Sequence, residues 1–438
     1  MAKEFEIAKG VKDWYGEDAI LRNEIKDTLR RVFEMYGYNP VETPMIERES
    51  TMKFKGGDEI QKEIFTLQDQ GKRKLALRFD QTLPLARFVA SNKDIKFPYK
   101  RYVIGEVFRD GPTQPEQGRY RIFTQCDADV LGVKGMKAEA ELLALAKRCF
   151  KELGLGNIVV KINNRKLLDG ILDYTGVKEN QKLNVITCLD KMDKIGIEGV
   201  KKELNELLDK KIVNSIVSLI SKKKNNQETY ESLKKVVSSE KGKQGLDEVK
   251  ELVNYVKKIK IDFVDFDPSL ARGLDYYTGT TIEVFLKDKS IVKSAVLAGG
   301  RYDNMISAFI GSKNEIPAVG FSFGLERVAM ILRETRKKLK KSNTQLYLIP
   351  INTADECFKI AEEIRNKGIN VDIDLKERKM GAAINYADSL GIGYIGIIGE
   401  DEIKEKSVSV KNLKTRQQKK IKVKDIKKFI TKNNSKIL

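Results

Sequence analysis

Residues 101–132, RYVIGEVFRDGPTQPEQGRYRIFTQCDADVLG, constrain this chain more tightly than any other stretch. The pattern predicts a long antiparallel hairpin. A β-branched and aromatic strand from Arg101 to Arg109 leads into a turn-rich loop, Asp110 to Gly118, with Gly111, Pro112, Pro115 and Gly118. A second strand then runs from Arg119 to Val130. It alternates with period two, so Ile122, Thr124, Cys126, Ala128 and Val130 share one face and Arg121, Phe123, Gln125, Asp127 and Asp129 the other. The first face suits a core. Two carboxylates, an amide and an arginine on the second are costly in a dry interior unless paired or bound to a ligand. A solvated strand face is the competing reading, because polar alternation is ordinary in antiparallel sheets.

The rest of the chain narrows the chemistry. With 438 residues, 41% of them hydrophobic, it has core material for two or three domains. Its 82 Lys and Arg against 63 Asp and Glu give +19, which points to an acidic partner, nucleic acid foremost. The four cysteines, Cys126, Cys149, Cys188 and Cys357, are scattered without a CxxC pair. No secretion signal opens the chain at MAKEFEIAKG, and no apolar run reaches membrane-spanning length. These features predict a reduced, cytoplasmic, zinc-free protein with no membrane segment. The chain contains no histidine, which excludes Ser-His-Asp and HExxH chemistry. Any catalysis rests on electrostatics and positioning.

In chain order, KGVKDWYG leads into a helix from about Asp18 to Tyr36 with Gly37 as its stop. YNPVETPMIE follows with Pro44 in a strand context, the mark of an edge or boundary. LALRFD reads as a strand turning at Thr82 and Pro84 into a helix, where Thr82 alone would mean no more than a capped helix start. A helix from Lys137 to Leu153 and a strand from Ile158 to Ile162 come next. From about 166 to 260 the chain is lysine-rich and helical, with polar interruptions such as SKKKNNQ and SSEKGKQG. In FDPSLARGLDYYTGTTIEVF, Arg272 sits at a strand-to-turn position and Tyr276, Tyr277 and Thr278 on the return, so a cation and phenols can converge. GFSFGLER places glycines where a strand gives way to a helix and delivers Arg327 in its first turn, a setting that favours an anion. After the basic linker RETRKKLKKSNT, strand and helix patterns alternate as in a small parallel α/β domain without a nucleotide-phosphate fingerprint. Residues 404–438 carry 13 Lys or Arg and two acids, or +11, and the alternation in SVSVKNL and KIKVKDI favours strands there over an unstructured basic tail.

The hairpin resembles motif 2 of the class II aminoacyl-tRNA synthetases, and GRYRIFTQCDADVLG together with LARGLDYYTG resembles the histidyl-tRNA synthetase family. The resemblance runs from about Lys9 to about Lys428. It implies an α+β fold: an antiparallel-sheet catalytic core (residues 1–165 and 261–335), a helical insertion (166–260) that approaches the tRNA acceptor stem, a linker (336–344) and an α/β anticodon-binding domain (345–438). It implies activation of L-histidine with ATP and Mg²⁺, then transfer to the 3′ end of tRNA(His). The first helix and the strand after it match motif 1, which implies a homodimer. Arg109 matches the arginine on the ATP α-phosphate, and Phe123 and Arg327 the pair that stacks on adenine, with Arg119 also on ATP. Asp80, in place of a more common Glu, and Thr82 match the residues that bind the α-ammonium. Gln125, Asp129, Arg272, Tyr276, Tyr277 and Tyr302 complete the implied histidine site, and Arg109 with Arg272 the implied catalytic pair. Asp129 and Tyr277 would read the two imidazole nitrogens. The chain departs from the pattern two places after Arg109, where Gly111 replaces an acid, so the adenine amino contact is unassigned. The alternative within the resemblance is a histidine-binding regulatory paralogue of ATP phosphoribosyltransferase. Such paralogues typically lack a C-terminal domain, which this chain has.

Overall fold

The structure, a computed structural model, describes residues 5–54, 58–221, 225–273 and 276–434. Residues 1–4, 222–224 of SKKKNNQ, 274–275 of LARGLDYYTG and 435–438 of the basic tail lie outside them. Two compact units emerge, one of Met1–Asp13 with Glu24–Thr335, the other of Trp14–Asn23 with Arg336–Leu438.

The strands of the first unit are β1 (Asn39–Pro40), β2 (Ile46–Arg48), β3 (Thr66–Gln68), β4 (Lys74–Leu77), β5 (Tyr99–Phe108) and β6 (Ile122–Leu131). After these come β7 (Ile158–Asn164), β8 (Val264–Phe266), β9 (Thr280–Leu286), β10 (Leu297–Arg301) and β11 (Ala318–Gly324). Eight form one sheet in the order β1-β5-β6-β11-β10-β9-β7-β8. Its interior pairs are antiparallel, and only the outermost pairs, β1 with β5 and β7 with β8, run parallel. Strands β2, β4 and β3 make a small separate sheet.

The hairpin is β5 and β6, in a register that sets Arg101 opposite Asp129, Val103 opposite Asp127, Gly105 opposite Gln125 and Val107 opposite Phe123. On its other side β6 meets β11, with Gly320 opposite Asp129, Ser322 opposite Asp127 and Gly324 opposite Gln125. One face of the sheet centre therefore carries long polar side chains from β6 over a floor of small residues. Asp129 requires that floor: a Cβ on Gly320 would lie 1.9 Å from its Oδ1. The opposite face is apolar. Cys126, Ala128, Phe321 and Phe323 are buried there, and the helix Lys137–Glu152 covers it with Leu142, Cys149 and Phe150, the last 5.1 Å from Phe323 between ring centroids.

Several boundaries differ from those read in the sequence. The second hairpin strand starts at Ile122, not Arg119, because a 3-10 turn at Pro115–Gln117 and a left-handed Gly118 (φ 70°) hold the chain in the loop until then. Pro44 lies in the gap between β1 and β2, since it has no N–H for a ladder, while Pro40 does lie in the edge strand β1. The strand in LALRFD stops at Leu77, where Arg78 turns inward to donate to the carbonyls of Glu106 (2.6 Å) and Thr43 (2.8 Å).

Among the described residues the lysine-rich segment folds into helices from Arg165–Thr175 to Glu240–Lys258, that of Met192–Asn205 broken at Gly196. They share a core of their own, with Leu167, Ile171, Val185, Ile186, Leu189, Leu204 and Ile216 buried, so the lysines mark the outer faces of amphipathic helices. In the second unit β12 (Leu346–Pro350), β13 (Val371–Ile373), β14 (Tyr394–Ile398), β15 (Ser407–Asn412) and β16 (Gln418–Lys422) pair in the order β13-β12-β14-β15-β16. The first three are parallel, as in the expected small parallel α/β domain, and the strands in SVSVKNL and KIKVKDI join it antiparallel. KIKVKDI is strand only to Lys422. A 3-10 turn and the helix Ile426–Asn434 then return Val423, Ile426 and Ile430 to the core, and the edge strand β16 exposes its lysines.

Candidate active site

The polar face of the hairpin is buried and only partly satisfied. Asp129 is 3% exposed; its Oδ2 lies 2.8 Å from Arg101 Nη2 and its Oδ1 accepts from the Tyr302 hydroxyl at 2.5 Å. Arg101, itself 2% exposed, also donates to the Gln81 carbonyl. Burial pushes the Asp129 carboxyl up, and Arg101 and the Tyr302 hydroxyl oppose the shift. Asp127 is pushed up to about 7 by burial against the pull of Arg101, with Asp129 adding to the rise. Among the described residues Asp127 Oδ1, Gln125 Oε1 and both amide atoms of Gln81 have no hydrogen-bond partner. Buried polar atoms are nearly always paired in native proteins, so this cluster is shaped for something that binds.

Asp80 stands between β4 and the helix Thr82–Ser91, and its Oδ1 accepts the backbone N–H groups of Thr82 (3.1 Å) and Leu83 (3.0 Å). Burial raises its pKa against those hydrogen bonds and against Arg109 and Arg101. Thr82 opens the helix. Tyr276, Tyr277 and Tyr302 cluster, with 4.7 Å between the first two ring centroids and 6.4 Å between Tyr276 and Tyr302. The Tyr277 ring lies over Gly300, where a Cβ would come within 2.7 Å of it.

Four arginines from three parts of the chain converge beside this face. Arg109, just past the end of β5, has its guanidinium 4.2 Å from the Phe79 ring centroid and 5.1 Å from that of Phe123. Arg327 donates to the Ala295 carbonyl at 2.8 Å from the first turn of the helix Leu325–Thr335. Its pKa is lowered by burial and then by the positive charges of Arg109 and Arg119. Burial also lowers that of Arg109; Asp80, Tyr276 and Glu63 oppose this, and Arg272 adds to it. Arg272 donates to Glu283 on β9 at 2.6 Å and lies 5.8 Å from the Tyr277 ring centroid. Burial works against its charge, but Tyr277, Glu283 and Asp190 outweigh it and the pKa rises. Like charges held together at the edge of a buried face make a site for a polyanion.

All twelve residues singled out from the sequence thus fall in one region of the first unit: the acids, amide and phenols on or against the β5-β6-β11-β10 face, the arginines and Phe123 at its open end. The sequence reading passed over Arg101, Gln81 and Glu63. Arg101 is visible only through its register with Asp129, and Gln81 through the missing side chain at Gly105, where a Cβ would lie 3.0 Å from Gln81 Nε2. Glu63 fills the space left by Gly111: a Cβ there would be 2.6 Å from its carboxylate carbon. Asp110, meanwhile, pairs with Arg121 at 2.9 Å.

Known proteins are similar to this chain over nearly its whole length. The family profile described as histidyl-tRNA synthetase matches residues 10–328, and that of an anticodon binding domain matches residues 345–433. Histidine--tRNA ligase 1 of Bacillus cereus is 41% identical over 436 residues, covering 98% of this chain and all of the relative. Histidine--tRNA ligase of Clostridium tetani is 37% identical, covering 97% of each. Among solved structures, histidyl-tRNA synthetase from Nostoc sp. PCC 7120 superposes with a TM-score of 0.85 at 29% identity over 98% of this chain and 99% of that one. A Bacillus halodurans protein described as an ATP phosphoribosyltransferase regulatory subunit/histidyl-tRNA synthetase shares the fold at a TM-score of 0.74 and 24% identity, covering 88% of this chain and 97% of its own. The chain belongs to the histidyl-tRNA synthetase family, with an antiparallel catalytic sheet and a C-terminal anticodon-binding domain, and is a histidine–tRNA ligase.

Proposed function

We propose that histidine lies on the polar β5-β6-β11-β10 face and ATP at its open end, where Arg109, Arg119, Arg272 and Arg327 gather. The convergence of four arginines beside unpartnered buried amides carries this reading. The histidine carboxylate attacks the α-phosphorus, the bond from that phosphorus to the bridging oxygen breaks, and pyrophosphate leaves with the electron pair. No protein base is required, because the attacking carboxylate is already ionised at neutral pH. Negative charge builds on the phosphate oxygens, and Arg109 and Arg272 stabilise it. Glu283 fixes the Arg272 guanidinium by its hydrogen bond. Arg119 and Arg327 bind the outer phosphates and, with Phe123, the adenine. Magnesium arrives as part of the ATP complex and neutralises phosphate charge there. Asp80, Thr82 and Gln125 line the ammonium end of histidine, and Asp129 with Tyr276, Tyr277 and Tyr302 the imidazole end. In the second step a terminal ribose hydroxyl of tRNA(His) attacks the acyl carbon and AMP departs.

The same reading assigns residues 1–165 and 261–335 to catalysis, 166–260 to the acceptor-stem side of the tRNA and 345–438 to the anticodon, with 336–344 as linker. It makes the protein a cytoplasmic homodimer joined through the motif 1 region; no described helix is long and apolar enough to cross a membrane. Arg272→Ala tests the assignment: histidine-dependent exchange of pyrophosphate into ATP falls on the order of 10²-fold or more in a folded protein, the usual cost of losing one charge-stabilising donor. An unchanged rate would refute it.

A further inference from the structure

We infer that Asp190, at the end of a helix in the lysine-rich insertion, is a positioning residue for Arg272, so that the insertion takes part in aiming one of the two arginines proposed to stabilise the α-phosphate charge. The inference rests on the catalytic role proposed for Arg272 above.

Three observations carry it. The first is the packing of the chain that leads to Arg272. Phe266, the last residue of β8, and Ala271 are buried in the core of the insertion, in one cluster with Leu189 and Leu204. The backbone that presents Arg272 is therefore anchored in the insertion as well as in the sheet.

The second is the way the guanidinium is held. Glu283 accepts from Arg272 Nη1 at 2.6 Å, while Arg272 Nε is buried without a hydrogen-bond partner among the described residues. A bond at one end fixes a guanidinium less tightly than the bidentate pairing its fork allows. Glu283 also stands opposite Lys161 in the register of β7 with β9, and Lys161 pairs with Asp267 at 2.9 Å. The carboxylate that grips Arg272 thus has a second cation across the strand from it.

The third is the placing of Asp190. It directly follows the helix Glu179–Leu189, whose last turn has no basic residue, and there the helix dipole disfavours a carboxylate. A Cβ on Gly273, the residue after Arg272, would lie 3.3 Å from Asp190 Oδ2. Asp190 and Glu283 line one small pocket with Lys161 and Ser269. Against burial, Asp190 joins Tyr277 and Glu283 in keeping the charge on Arg272. A carboxylate set against its own helix dipole is stabilised by a nearby buried cation, and that cation is in turn held by acids from two parts of the fold.

The test is a double-mutant cycle in the full-length protein. Histidyl-adenylate formation is measured under single-turnover conditions for wild type, Asp190→Asn, Arg272→Ala and the double variant, with the melting temperature of each. Asparagine is well tolerated at helix C-termini, so Asp190→Asn should melt near wild type. It is expected to slow adenylate formation roughly 10-fold, as a small misplacement of a catalytic group does. In the double variant the two losses should not multiply: once Arg272 is gone, Asp190→Asn should cost no more than about twofold further. Losses that multiply would overturn the inference, because Asp190 would then act by a route other than Arg272. A wild-type rate in Asp190→Asn would overturn it too. Should the amide variant not accumulate, Asp190→Ser carries the same cycle. Unchanged adenylate formation in Arg272→Ala would instead overturn the catalytic reading on which the inference rests.

Discussion

The carboxyl of Asp127 shows how one residue links folding to binding. Its pKa of about 7 lies well above the ordinary 3.8, so the folded protein holds a proton there that the unfolded chain gives up. By linkage this stabilisation is fully present below the unfolded pKa and is lost as pH rises through about 7. The groups facing it are Arg101 on β5, Asp129 on its own strand, Ser322 on β11, Asp80 and Tyr302. Asp127→Asn removes the titration. Denaturant unfolding of the ligand-free protein should show the variant gaining roughly 1–3 kcal/mol on wild type between pH 6 and pH 8.5. A difference that does not change with pH would contradict the assignment. At this scale the sequence was only partly legible. Alternation gave the polar face, and the resemblance drew attention to Asp129. That Asp129 is ion-paired and hydrogen-bonded depends on Arg101 and Tyr302, 28 residues before and 173 after it, whose approach is a matter of strand register and not of local pattern.

Among elements, the hairpin was legible because period-two alternation between turn-rich segments has few alternatives, whereas its ends were not. The loop keeps residues 119–121 through one left-handed glycine and a short 3-10 turn, neither of which periodicity can register. The glycines of β11 were read for their strand-to-helix transition, but their larger role is the floor beneath the polar side chains. Gly320→Ala tests this. A Cβ 1.9 Å from Asp129 Oδ1 and 2.9 Å from the Ala128 carbonyl forces the carboxylate off Tyr302 and Arg101. Histidine-dependent exchange should fall by at least about 100-fold, with a KM for histidine that rises more than the KM for ATP. Activity near that of wild type would show that the floor can yield.

For the whole molecule, the two units were foreshadowed by the basic linker and by the change from long antiparallel strands to alternating strand and helix. The mixed character of the second sheet was less visible, because alternation marks β15 and β16 as strands without giving the direction in which each pairs. A chain cut near Lys337 should keep pyrophosphate exchange within a few-fold and lose most tRNA charging. The residual charging should depend less steeply on salt, since fewer phosphates are neutralised. Simultaneous loss of both activities would mean that the second unit supports the first. The central claim, that the arginine-rimmed polar face activates histidine as its adenylate, is tested most directly by pyrophosphate exchange into ATP with each of the twenty amino acids in turn. The account predicts exchange with histidine alone, abolished by Arg272→Ala, and strong exchange with another amino acid or none with histidine would contradict it.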